Sequence, residues 1–134
     1  MTEKSRVLLT TSRFRVETVH RSTADGAQIE RAVVRHPGAV TILPLVDADH
    51  VCLIKNYRVA VGRTLIELPA GTLDAGESPP ETARRELVVE TGYQAEHLEL
   101  LHTFYLSPGI MDERMHLFLA TGLKAGPPRR EATE

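Results

Sequence analysis

Apolar and polar positions alternate in strand-like fashion along most of the chain and change to helical spacing in one stretch past its middle. Residues 1–35 read as strands. Val7 to Val19 is a long segment with partial alternation: Phe14, Val16 and Thr18 on one side, Arg13, Arg15 and Glu17 on the other. Ala24-Asp25-Gly26 is a turn signal and Ile29–Val34 resumes an apolar-polar strand, so 12–35 predicts a hairpin. His36-Pro37-Gly38 breaks it. Ala39–Val46 is an apolar strand whose Pro44 predicts an edge position or an early end, because proline cannot donate to a ladder. Asp47-Ala48-Asp49 predicts a turn, Val51–Tyr57 a strand, and Thr64–Leu68 a short strand ended by Pro69.

The period then changes. Ser78 is a capping residue, Pro79 suits the first helical position, and Glu81 completes a capping box. A helix is expected over Glu81–Thr91, with Ala83, Leu87 and Val88 on its apolar side and Gly92 ending it. Leu98–Tyr105 and Met115–Ala120 predict further strands, and the tail from Lys124 reads as loop. Six or seven strands with one marked helix predict an α+β domain.

Composition narrows the class. The 134 residues fit one domain, 1–134, and 42% hydrophobic with 25% charged residues is ordinary for a globular fold. Sixteen Lys and Arg against eighteen Asp and Glu give a net charge of -2, which argues against a phosphate-neutralising nucleic-acid binder. No apolar run approaches the ~20 residues of a membrane span, and Met1–Thr11 lacks a signal-peptide core, so a cytoplasmic protein without a membrane partner is expected. Cys52 is the only cysteine, so no internal disulfide can form; in Val51-Cys52-Leu53-Ile54 it reads as a small buried hydrophobe.

Residues 67–93 carry the chemistry. A strand ending Glu67-Leu68-Pro69-Ala70-Gly71 leads through a loop with Gly76-Glu77 into a helix bearing Arg85-Glu86 and Glu90. Glu86 and Glu90 are four apart and project from one side of the helix. Such a pair is common on solvated faces, but two carboxylates held together also suit a hard divalent cation, which takes one or two carboxylates plus substrate phosphates. Arg85 points away from them and is placed to reach Glu77 as an ion pair.

This stretch resembles the Nudix box of the Nudix hydrolases. Gly71, Glu77, Arg85, Glu86, Leu87, Glu90 and Gly92 stand at matching spacing, with Tyr93 at the usually aliphatic last position. Val89 departs from the pattern, which has Glu there. Glu67-Leu68-Pro69-Ala70-Gly71, Tyr57-Arg58, and Ser107-Pro108-Gly109 followed by Glu113 are similar to segments of the ADP-ribose pyrophosphatase branch. The likeness covers about residues 30–123 and, less specifically, an N-terminal sheet used in dimerisation, so a homodimer is expected through 1–35.

The resemblance implies a Nudix-type α/β/α sandwich with a mixed sheet, its C-terminal part short relative to the family: a natural short form or a missing segment. It implies Mg2+ or Mn2+ held by Glu86, Glu90 and the carbonyl of Ala70, with Gly71, Glu77, Arg85 and Gly92 structural. Arg58 would contact pyrophosphate or ribose, and Glu113 the substrate or its waters; Glu67, Ser107, Pro108 and Gly109 belong to the substrate-binding set. The implied reaction is attack of water on a phosphorus of a nucleoside diphosphate sugar, ADP-ribose first, giving AMP and ribose 5-phosphate. Alternatives are another sugar nucleotide, such as a GDP-sugar, and a non-catalytic nucleotide-sensing module. An 8-oxo-nucleotide triphosphatase fits less well, since Ser107-Pro108-Gly109 belongs to the sugar branch. The base is expected to be a carboxylate, either from the box or, as this branch often has it, from the late loop 124–134, where Glu131 and Glu134 stand. A Glu-to-Gln change at 86 or 90 is expected to cut kcat and leave the fold intact, as at a surface position. His102 and His116 read as strand residues, Met111 and Met115 as packing, Phe104-Tyr105 as core, and Arg129-Arg130 as a basic pair in the tail.

Overall fold

The computed structural model describes residues 3–127. They cluster into two compact units. One comprises the chain up to Gly38 together with Phe104–Arg114; the other comprises Ala39–Thr103 and the chain from Met115 onward.

The first unit is built on a three-stranded antiparallel sheet of β1 (Glu3–Thr10), β2 (Arg15–Ser22) and β3 (Gln28–Arg35), in that order. The alternating segment Val7–Val19 thus spans the end of one strand and the start of the next. Thr11 makes the break: its Oγ1 accepts from the backbone N–H of Arg13 and Phe14, at 3.1 and 2.9 Å, and turns the chain back. The expected hairpin is present as β2–β3, closed at Thr23–Ala27, where Gly26 takes φ 84. Glu17, from the polar side of β2, is buried. Arg15 and Arg35 neutralise it at 2.7 and 3.0 Å and hold its carboxyl below the usual range, Arg35 most. The segment 107–113 is stitched to the end of β3: Val34 donates to Ile110 O and Asp112 N–H to Val34 O.

The second unit carries a four-stranded mixed sheet in the order β7 (Ala70–Thr72), β4 (Ala39–Pro44), β9 (Arg114–Lys124), β8 (Gln94–Tyr105). β4 is antiparallel to β7 and parallel to β9. Pro44 therefore does not mark an edge strand. It is the last ladder residue, opposite Ala120, where a missing N–H costs nothing to the strand's interior. β7 was not legible in the sequence: three half-buried residues, two of them small, give no alternation to read. β8 starts four residues earlier than expected and β9 continues to Lys124. β5 (Ile54–Arg58) and β6 (Arg63–Glu67) form a hairpin through a single 3-10 turn at Val59–Val61, closed by Gly62 in the left-handed region.

The helix α1 (Pro79–Thr91) is capped as its sequence requires. Ser78 Oγ accepts from Glu81 N–H, Glu81 Oε2 accepts from Ser78 N–H at 2.7 Å, and Gly92 at φ 78 donates to Val88 O. It packs on β4 and β7. Its buried face has two stripes at four-residue spacing. Ala83 and Leu87 join Val40, Ile42, Phe118 and Ala120 in the core, while Thr82, Glu86 and Glu90 form a buried polar stripe beside them. Val88, expected on the apolar side, is only half-buried. Cys52 is half-buried rather than buried, and Tyr105 is exposed rather than core. No helix among the described residues is long and apolar enough to cross a membrane.

Candidate active site

Glu86 and Glu90 are not surface carboxylates. Their fractional exposures are 8% and 6%. Both turn toward the strand β7 under the helix. The N–H of Ala70 donates to Glu90 Oε2 at 3.1 Å. Glu86 lies over Gly71: a Cβ built there would land within its carboxylate. Gly71 is required for this close approach, not for an unusual backbone angle. Helix spacing thus brings two carboxylates to the Ala70–Gly71 backbone, directly after Pro69, whose carbonyl accepts from Ile42 N–H and ties the segment to β4.

Arg85 fixes one side of the arrangement. Its Nε and Nη2 each reach the Glu77 carboxylate at 2.9 Å, as the spacing predicted. The expectation that it points away from the acidic pair is corrected: its Nη1 donates to Glu86 Oε1. The guanidinium is a bridge between loop and helix face because its fork offers donors on both edges. These bonds, with one from Thr82 Oγ1 at 2.6 Å, hold the Glu77 carboxyl down at about 2. The Arg85 pKa rises for the same reason, Glu77 first.

Arg58 and Glu67 face each other on the β5–β6 hairpin as a bidentate pair, at 2.8 and 2.6 Å, and Arg58 lowers the Glu67 pKa. Tyr57 beside them is exposed. Ser107, Pro108 and Gly109 belong to the first unit and are exposed; Ser107 O accepts from Ile110 and Met111 N–H to form a tight turn. Glu113, in the same unit, is largely buried, with an oxygen 3.7 Å from His36 Nδ1. His116 Nδ1 lies 3.1 Å from Thr103 Oγ1, as a paired strand residue. Met111 and Met115 are half-buried. Glu131, Glu134 and Arg129-Arg130 lie outside the described residues.

Among the described residues no three His, Cys, Asp or Glu side chains form a metal cluster. The side-chain donor set is two buried carboxylates, both hard ligands, packed where a glycine leaves room. That set fits Mg2+ or Mn2+ held partly by substrate phosphates, and does not fit a closed structural zinc site. The residue missed in the sequence is Thr82. The signal was available: positions 82, 86 and 90 share one helix stripe, and all three are polar.

The family model described as the NUDIX domain matches residues 35–134. The chain is 44% identical over 110 residues to an ADP-ribose pyrophosphatase of Bacillus subtilis, covering 82% of this chain and 60% of that protein. It is 45% identical over 100 residues to an ADP-ribose pyrophosphatase of Mycobacterium tuberculosis, covering 74% of this chain and 48% of that protein. A crystal structure of an ADP compounds hydrolase superposes with a TM-score of 0.78 at 30% identity, covering 98% of this chain and 70% of that one. The chain spans about half to three-fifths of the length of these two curated relatives. It belongs to the Nudix domain family.

Proposed function

We propose that this Nudix-family chain hydrolyses the pyrophosphate bond of a nucleoside diphosphate sugar, ADP-ribose giving AMP and ribose 5-phosphate. The observation that carries the proposal is the convergence of two buried carboxylates, Glu86 and Glu90, on Ala70–Gly71. Arg85 offsets part of the repulsion between these buried like charges, and a divalent cation between them would offset more. The names of relatives in two genera support the substrate class.

Glu86, Glu90 and the Ala70 carbonyl would hold Mg2+ or Mn2+. When bound, the cation supplies a polarised phosphoryl oxygen, charge neutralisation and a water of lowered pKa. The chain's own residues do the rest. Gly71 admits the Glu86 carboxylate, and Arg85 orients it. Arg58, exposed and pre-aligned by Glu67, offers a guanidinium to pyrophosphate oxygens or ribose. A carboxylate takes the proton of the attacking water. The roles of Ser107, Pro108, Gly109 and Glu113 are those the resemblance implies.

Incubating the protein with ADP-ribose and Mg2+ and measuring AMP tests the reading; GDP-sugars form the comparison arm. Tight nucleotide binding without AMP release would favour the sensing module, which Val89 in the box also favours. We further propose a homodimer through β1, an edge strand exposed at every residue, with Val7, Leu8 and Leu9 each about half exposed. A monomer in sedimentation at micromolar concentration would refute it.

A further inference from the structure

The buried polar stripe of α1 contains one member that the proposed chemistry leaves unused. Thr82 is fully buried, with 0% exposure, one turn before Glu86. Its hydroxyl has a single proton and two acceptors in reach: Glu77 Oε1 at 2.6 Å and Ser78 O at 3.2 Å. Ser78 O already accepts the Thr82 N–H at 3.0 Å as part of the helix. The shorter contact, to a charged acceptor, takes the proton. Glu77 Oε1 therefore receives Thr82 Oγ1 and Arg85 Nη2, while Oε2 receives Arg85 Nε. The guanidinium is also tethered to the chain before the helix, Nη2 reaching Thr72 O at 3.5 Å and Asp74 Oδ2 at 3.3 Å. Thr82 supplies a donor to Glu77 from the rigid first turns of the helix and so fixes the carboxylate from the opposite side. The remaining arm of the same guanidinium meets Glu86 Oε1.

We propose that Thr82 is a positioning residue for the metal site: its hydroxyl locks the Glu77–Arg85 pair, and through Arg85 Nη1 sets the rotamer of the Glu86 carboxylate. The inference rests on the reading of Glu86 as a cation ligand. Hydrogen-bond partners behind a ligand matter through the orientation they impose, and losing one typically costs about 10–100-fold in metal affinity. Thr82 stands three hydrogen bonds from the ligand, through Glu77 and Arg85, so no more than the low end, about tenfold, is expected.

The test is Mn2+ binding to the substrate-free protein by calorimetry, with the wild type and four variants: Thr82→Val, Thr82→Ala, Thr82→Ser and Glu86→Gln. Val keeps the volume and loses the hydroxyl; Ala gives the same loss without added bulk should Val disturb folding, which circular dichroism reports. Thr82→Val and Thr82→Ala are expected to weaken Mn2+ binding about tenfold, and Thr82→Ser to restore it to within about twofold. With metal saturating, KM for ADP-ribose should stay at the wild-type value. Wild-type Mn2+ affinity in both hydroxyl-less variants, with Glu86→Gln impaired, would overturn the role of Thr82 alone. A serine variant as weak as valine would also overturn it, since packing rather than the hydroxyl would then be responsible. Wild-type affinity in Glu86→Gln would instead overturn the metal reading of the site.

Discussion

Replacing Gly71 with Ala tests the site with a single methyl group. The new Cβ would sit within the Glu86 carboxylate. Carbon atoms pack at about 3.5–4.0 Å, so that carboxylate must retreat by more than ~1 Å. It cannot do so freely, because Arg85 holds one oxygen and the side chain is 10% exposed. A displacement of about 1 Å at a catalytic group costs on the order of 100-fold in rate, about 2.7 kcal/mol of transition-state stabilisation. The fold should suffer much less. The obstructing atoms are the far end of a side chain, so overpacking should cost near the low end of its range, about 1 kcal/mol. That corresponds to a fall of ~4 °C in melting temperature for a chain of this size. The assay is AMP release from ADP-ribose across a Mg2+ titration, paired with thermal melts. The expected outcome is a rate loss far larger than the small stability loss, with more Mg2+ needed for half-maximal rate. Wild-type rate and wild-type Mg2+ demand in a folded Gly71→Ala protein would refute the claim that Glu86 works from its position over Gly71.

Three other outcomes are expected. Glu90→Gln should lower kcat by about 10–100-fold, yet melt at or above the wild-type temperature in EDTA, because it removes one of two buried like charges; a lower melting temperature would make Glu90 structural. Val89→Glu places a carboxylate one residue from Glu90 and three from Glu86, and should lower the Mg2+ concentration for half-maximal rate; an unchanged requirement with a clearly lower melting temperature would assign Val89, half-buried in the structure, to packing instead. Glu77 is depressed from 4.5 to about 2, chiefly by Arg85, so it stabilises the native state above pH 4.5 and that contribution is lost as pH falls toward 2. Denaturant unfolding of Glu77→Gln should therefore show a flatter decline than wild type over that window, and parallel declines would contradict the ion-pair account.

Local signals determined the elements that local chemistry controls. Ser78, Pro79, Glu81 and Gly92 settle α1 because capping groups act within a few residues of themselves, and the structure has the helix within two residues of its expected start. The Arg85–Glu77 pair was legible for a related reason: a helix fixes direction, and eight residues is one loop-to-helix reach. The Nudix spacing added the family. What the sequence could not contain was the partner of each surface. Glu86 and Glu90 look like a solvated pair until β7 is laid beneath them. β7 itself exists only because β4 pairs with it, since Ala70-Gly71-Thr72 has no pattern of its own. Pro44 signals the end of a strand but not whether that strand is flanked, which depends on β9, some seventy residues later in the chain. The burial of Glu17 awaited Arg35 from the next strand. In each case an alternating or helical period states which side a residue faces. Only long-range pairing decides whether water, a backbone or an opposite charge waits on that side.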